Sequence, residues 1–249
     1  MGQTKTKKMT VAAMMTAIAY IFLLIGKLLP TGIISFIPGV SFLQYDPKDI
    51  VIVIAGFILG PIYSMAISIV VSLIEMITIS QTGILGFLMN VISTCCFACT
   101  ASYIYKKNKK MSGAVTGLIV GVLCMTASMA LWNYLVTPFY MTAIPDNTPK
   151  EEARILIHEM RQTIAGMLLT AFVPFNLIKA AINMGMTLVL YKPVVNSLRK
   201  AGLVESNKKS ADAPNVSKPG RGKIYGSWVL GVFIVVTCVL VILVMKGII

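Results

Sequence analysis

Charge is scarce in this chain: only 12% of its 249 residues are Asp, Glu, Lys or Arg, against about a quarter in soluble domains. That shortage argues against a water-soluble globule. Histidine is scarcer still, with His158 the single example, and it falls in a polar segment that reads as solvated surface. The cluster Cys95-Cys96-x-x-Cys99 therefore has no histidine beside it to complete a metal or redox motif. Set among Val91, Phe97 and Ala98, its thiols read as small buried packing groups, since free cysteine behaves as a small hydrophobe. No Gly-x-x-x-x-Gly-Lys-Ser/Thr phosphate loop occurs, so the chain cannot power transport with its own P-loop. No Ser/His/Asp or Cys/His set lies where it could share a site, and the one carboxylate deep in an apolar run, Glu75, makes no metal site. An enzyme is disfavoured, no metal or cofactor is expected, and no repeat of fixed period is present.

What is abundant is apolar: 57% of the residues, gathered in stretches long enough to cross about 30 Å of hydrocarbon. The expected spans are Met9–Leu29, Asp49–Gly60, Ile62–Ser80, Gly83–Tyr105, Ser112–Pro138 and Gln162–Tyr191, with a seventh at Tyr225–Val244. The fold class is all-α integral membrane protein. The second span is short and ends at Gly60-Pro61, a natural turn. The first follows a short basic arm without a small-residue cleavage site, so it reads as a retained span. Three regions follow: a membrane domain over 1–199, a basic cytosolic linker over 200–224 whose Lys, Ser, Pro and Asn content reads as disordered, and the extra helix over 225–249.

The formal net charge of +13 raises the possibility of nucleic acid, but its distribution rejects it. With the amino terminus in the cytosol, the inner segments hold Lys5, Lys7, Lys8, the run Lys106 to Lys110, Lys192, Arg199, Lys200 and the cations of the linker, against Glu205 and Asp212 alone. The outer segments balance Lys27, Lys48, Lys150, Arg154, Arg161 and Lys246 against Asp46, Asp49, Asp146, Glu151, Glu152 and Glu159. All the excess lies on one side, as the positive-inside rule requires. The carboxyl terminus is external if the seventh span inserts.

Lys179 is the costliest residue in the chain. It sits inside the sixth span, where a cation in hydrocarbon marks a functional site by default. At about 1.5 Å of rise per residue it lies roughly 10 Å below the outer edge. Asn176 and Asn183 share its face through the i, i+4 and i+7 spacings. Asn133 on the fifth span, Glu75 on the third and Asn90 on the fourth fall at similar depth, about 8–10 Å down. Polar groups from four helices thus meet one layer in the outer half, which favours a water- or ligand-filled pocket. The plainer reading of any single Asn is a bond to a neighbouring helix.

Trp132 and Tyr134 flank Asn133, and Phe172 and Phe175 flank Asn176. They suit the wall of a pocket for a planar amphipathic molecule and equally an interfacial belt. The outer loop Pro30–Asp46 is apolar for an exposed segment and reads as a lid over the bundle or as interfacial packing; its end, Leu43-Gln44-Tyr45-Asp46, brings polar groups to the same layer. Pro174 breaks a backbone bond one turn before Lys179. Thr148-Pro149-Lys150-Glu151 reads as a capping box with proline at the first helical position. On the first span Ala13 and Ala17 form a small-xxx-small pair where another helix, of this chain or another, approaches closely.

Over about residues 1–200 the chain resembles the substrate-binding S components of energy-coupling factor (ECF) transporters, specifically the riboflavin type. The resemblance rests on Ala13-x-x-x-Ala17, Leu43-Gln44-Tyr45-Asp46, Ala55-Gly56-Phe57-x-x-Gly60-Pro61, Leu131 to Pro138 with Trp132-Asn133-Tyr134, and Pro174-Phe175-Asn176-x-x-Lys179. It implies six spans in a bacterial cell membrane and a riboflavin pocket opening outward under the first loop. Asn133, Asn176 and Lys179 would bond the polar edge of the flavin or its ribityl chain, with riboflavin as cargo and not cofactor. Ala13 and Ala17 would dock on a transmembrane coupling subunit driven by two ATPases, and the S component would topple in the bilayer to deliver its load. The seventh span is a departure from that pattern. Two other readings stay open: an S component for a different vitamin or small amphipathic molecule, and a membrane assembly partner that binds no small molecule.

Overall fold

The structure, a computed structural model, describes residues 4–28, 45–80, 82–142, 144–145, 148–204, 229, 231–239 and 242–243. Leu43 and Gln44, most of the apolar first loop and the basic linker beyond residue 204 lie outside the described residues. The described secondary structure is helical throughout: α1 (Lys5–Leu28), α2 (Lys48–Leu59), α3 (Pro61–Thr78), α4 (Gly83–Lys107), α5 (Met111–Leu135), α6 (Thr137–Met141) and α7 (Lys150–Lys200), with a final helical stretch, α8, at 231–239. Among the described residues α1, α3, α4, α5 and α7 are long and apolar enough to cross a membrane. Their outward faces carry Ile62, Ile77, Ile84, Leu123, Leu131 and Leu169, all exposed, as suits contact with lipid.

The short helix is the axis of the bundle. Every residue of α2 from Lys48 to Phe57 is buried, so it is enclosed on all sides, by α1, α3, α4 and α7. A helix of this kind has no polar face to offer. Its 12 residues span about 18 Å, too little for a crossing, and it starts already inside the bundle. Lys48 and Asp49, expected among the outer segments with Asp46, are each only 1% exposed. Two charged residues at the head of a fully enclosed helix dictate what must surround them.

The proline and cysteine signals resolve into the same device. α4 contains a π-helical turn at Cys95–Cys99 and α7 contains one at Leu168–Phe172. The second falls just ahead of Pro174, which occupies the first turn of the α-helical segment that follows. Proline and a widened turn are both places where a long helix departs from the regular bonding ladder, and here they adjoin. The cysteines are half-buried, not fully buried as expected. Cys96 Sγ donates to Ser128 Oγ at 3.1 Å and Cys99 Sγ to the Pro61 carbonyl at 3.5 Å, so both thiols tie helices together. The capping box does not form: Thr148 Oγ1 donates to the Pro145 carbonyl at 2.7 Å, and Pro149 precedes the helix instead of opening it. His158 is exposed, as expected.

α5 lies directly on the backbone of α4. A β-carbon added at Gly117 would come within 2.7 Å of the Ala101 carbonyl oxygen, and one at Gly121 within 2.7 Å of the Phe97 carbonyl oxygen. Small residues one turn apart permit this approach. The last helix uses the same principle: β-carbons added at Gly185 on α7 or Gly231 on α8 would meet the opposite glycine's carbonyl oxygen at 2.9 and 2.7 Å. The extra helix therefore packs on the bundle, backbone against backbone. Gly121→Leu is expected to destabilise the protein by about 1–3 kcal/mol through this collision, read as a lower melting temperature in detergent. Gly166→Ala, where an added β-carbon meets nothing within 4 Å, should leave it unchanged or slightly raised.

Candidate functional site

The site forms where the head of α2 meets α3, α4 and α7. Asp46, just before the helix, accepts a bond from the Lys48 backbone N–H at 3.1 Å, a side-chain turn typical of Asp. The Lys48 ammonium then pairs with Asp46 Oδ2 and, at 2.8 Å, with Glu75 Oε2 on α3. The same Glu75 oxygen accepts a bond from Asn90 Nδ2 on α4 at 2.9 Å, and Lys27 Nζ, on the half-exposed end of α1, stands 3.9 Å from Glu75 Oε1. One lysine thus draws together the entry to α2 and helices α3 and α4, with α1 close by.

A second set lies beside it. Asp49 accepts from Thr94 Oγ1 at 2.6 Å and from Asn183 Nδ2 at 3.4 Å. Asn183 Oδ1 accepts from the Tyr45 hydroxyl at 2.8 Å. Lys179 is one turn away on α7 and 8% exposed. It lies within Coulomb range of both Asp46 and Asp49, yet among the described residues it makes no hydrogen bond and no ion pair within 4 Å. The cations Lys27, Lys48 and Lys179 face the carboxylates Asp46, Asp49 and Glu75. An isolated charge in this setting would cost several kcal/mol; balanced, Lys48, Asp49, Glu75 and Lys179 tolerate burial, with Asp46 and the half-exposed Lys27 at their edge.

The other expected residues stand in two groups. Glu75, Asn90, Lys179, Asn183, Tyr45 and Asp46 do come together, and these bonds account for most of their polar atoms. Asn133 and Asn176 are buried but turn their amide nitrogens back onto their own helices, to the Met129 and Phe172 carbonyls at 2.7 and 2.8 Å. Asn133 Oδ1 accepts from Thr137 Oγ1 at 3.0 Å. Among the described residues nothing donates to Asn176 Oδ1. Among the described residues Trp132 Nε1 is buried with no partner, an open donor of the kind a ligand satisfies. The aromatics divide likewise: Phe172 and Phe175 are buried, while Tyr134 is exposed and fits an interfacial belt. Ala13 and Ala17 are exposed on α1, opposite the buried stripe of Val11, Met15, Ala19 and Leu23.

Sequence reasoning missed Lys48, Asp49 and Thr94, and it treated Lys27 as surface. The signal that could have found the first two is the length of the second span: a segment too short to cross begins below the surface, and charges at its head go with it.

Among the described residues no group of three or more His, Cys, Asp and Glu is arranged to hold a metal ion. Fixed opposite charges, an open indole donor and a free amide oxygen within a lipid-facing bundle are the parts of a membrane-embedded binding protein. The comparisons with known proteins agree. The family described as ECF transporter, substrate-specific component, matches residues 7–191. The riboflavin transporter FmnP of Bacillus subtilis (strain 168) is 26% identical over 203 residues, covering 79% of this chain and 98% of that protein. The riboflavin transporter RibU of Staphylococcus aureus (strain TCH60) is 23% identical over 201 residues, covering 80% and 96%. A solved structure described as the S component of a bacterial ECF transporter superposes with a TM-score of 0.59 at 24% identity, covering 79% of this chain and 99% of that one. The chain belongs to the substrate-specific components of ECF transporters. It is a transport component and not an enzyme.

Lys48→Met is expected to destabilise the protein by about 3–5 kcal/mol, because it leaves the buried Glu75 and partly buried Asp46 carboxylates without the cation that bonds them. Adding Glu75→Gln should restore part of that loss. Thermal unfolding of the two single variants and the double variant in detergent reads the coupling, and additive losses would show that Lys48 and Glu75 do not act as a pair.

Proposed function

We propose that this chain binds riboflavin from outside the cell and delivers it inward, working with a transmembrane coupling subunit and two ATPases. The observation that carries the reading is Lys179: a buried cation with no bonded partner among the described residues, one turn from Asn176, whose amide oxygen is open, in a chain whose relatives are named riboflavin transporters. A flavin offers matching chemistry, with carbonyl acceptors for an ammonium and an indole N–H and a flat apolar body for Phe172 and Phe175. Tyr45, Asp46, Asn90 and Asn133, with Leu43 and Gln44 from the loop end, complete the proposed binding set; Glu75, Trp132 and Asn183 support it.

The same proposal sets the protein in a bacterial membrane with its amino terminus in the cytosol, so that the basic end faces in and the Lys48 network faces out. The substrate-binding unit is residues 1–199, joined through 200–224 to the extra helix at 225–249, whose far end is external. The exposed face at Ala13 and Ala17 is the docking surface for the coupling subunit, because small residues let a partner helix approach without a cavity.

Purified protein is expected to carry the visible absorption of a flavin, or to titrate tightly with riboflavin after stripping. A colourless preparation that does not respond to riboflavin overturns the assignment. Lys179→Met should weaken riboflavin about 10- to 100-fold, the loss of one hydrogen bond to a charged group, with expression intact; wild-type affinity would make Lys179 structural. Ala13→Leu with Ala17→Leu should abolish uptake in cells while leaving riboflavin affinity unchanged, and undiminished uptake would remove the docking role.

A further inference from the structure

At the basic end of the bundle, away from the Lys48 network, lies a cavity of about 200 Å³ between α2, α4, α5 and α7. Its wall is aromatic. The Phe57 ring stands 4.6 Å from that of Tyr105 and 5.7 Å from that of Tyr191, and the two tyrosine hydroxyls bond each other at 3.0 Å. Ala114 leaves the space open from α5, and the Thr187 hydroxyl on α7 donates to the Asn183 carbonyl at 2.7 Å. Lys109 and Lys110 line the mouth, joined by Lys192. No carboxylate among the described residues belongs to this end: Asp46, Asp49 and Glu75 lie at the head of α2, and Glu151, Glu152 and Glu159 on the far segment of α7.

We infer that this cavity is a site for an anionic phospholipid, its phosphate held by Lys109 and Lys110 and part of an acyl chain lying against Phe57, Tyr105 and Tyr191. The volume falls below the roughly 300–1,000 Å³ of sites for drug-sized ligands, so it does not serve a whole vitamin. An apolar interior under a cationic mouth calls for an occupant that is apolar in body and anionic at one end. Lysines suit such a mouth, since their stems cover apolar surface while the ammonium stays at the boundary. Basic pockets between helices at the cytosolic boundary bind such headgroups, and with the orientation proposed above the mouth opens at the inner leaflet.

The test titrates full-length protein, in neutral detergent, with phosphatidylglycerol, phosphatidylcholine, glycerol phosphate and inorganic phosphate, following the melting temperature. Phosphatidylglycerol is expected to raise it saturably, and the other three are not. Lys109→Gln with Lys110→Gln should weaken the phosphatidylglycerol response about tenfold or more, on the scale of two cations near a membrane surface. Ala114→Leu, which fills the cavity, should weaken it without changing charge. Lys106→Gln with Lys107→Gln, removing equal charge outside the cavity lining, should not. An equal loss in that control would show diffuse attraction and overturn the site. An equal response to phosphatidylcholine would remove the role of the phosphate's charge, and one to either soluble phosphate would identify a free anion as occupant; each overturns the lipid assignment. Each variant's cooperative melting in the absence of lipid confirms that it is folded, and because no riboflavin enters the measurement the result stands apart from that of the vitamin assignment.

Discussion

The pairing of Lys48 with Asp46 and Glu75 is the constraint on which the outer half of the structure depends. At the head of α2 Lys48 and Asp49 are enclosed by the neighbouring helices and almost out of reach of water, so their charges must be answered by their neighbours. Glu75 fixes the rotation of α3, Asn90 that of α4, and Asp46 the path by which the chain enters α2. The second set, around Asp49, does the same for α7 through Asn183. Helix packing in lipid has no hydrophobic drive of its own, and this polar centre supplies the specificity that an apolar seam alone would lack.

Glycine supplies the other half of the order. Where α5 meets α4 and where α8 meets α7, the absence of a side chain lets backbones touch. Those contacts tolerate no growth, while the polar centre tolerates no loss. The bundle is thus pinned by charge at one end of its short axis and by close approach along its long helices. Between them, among the described residues, the interior keeps several polar groups without a bonded partner, the Trp132 indole N–H and Lys179 among them, where a ligand would complete the satisfaction of the core.

Much of this was legible in the sequence. The apolar runs marked α1, α3, α4 and α5 to within a few residues, because hydrocarbon demands satisfied backbone over a set length; α7 runs well past the expected Gln162–Tyr191 at both ends, since polar turns outside the hydrocarbon continue the same helix. Lys179, Asn183, Glu75 and Asn90 were found because a polar group in such a run is conspicuous. Lys48 and Asp49 were not, because beside a loop they look like ordinary boundary residues; only the enclosure of α2 reveals otherwise. Depth counting also grouped Asn133 and Asn176 with the network, whereas their amide nitrogens return to their own helices. Equal height along a helix does not fix the direction in which a side chain points. The capping box failed for a related reason: the Thr148 hydroxyl is turned toward the Pro145 carbonyl and accepts from no N–H of the helix it was expected to cap.

The contact between Gly185 and Gly231 has a bearing on how chains of this kind differ from one another. The extra helix lies beyond residue 191, where the match to the family ends, yet it is seated in a notch that belongs to the matched part. In a chain without such a helix the same notch would face lipid, and nothing would forbid a larger side chain there. A single position on α7 therefore serves as a marker: glycine there is compatible with an additional helix alongside, and a bulky residue is not. Gain or loss of a whole segment would leave its trace at one site some forty residues upstream.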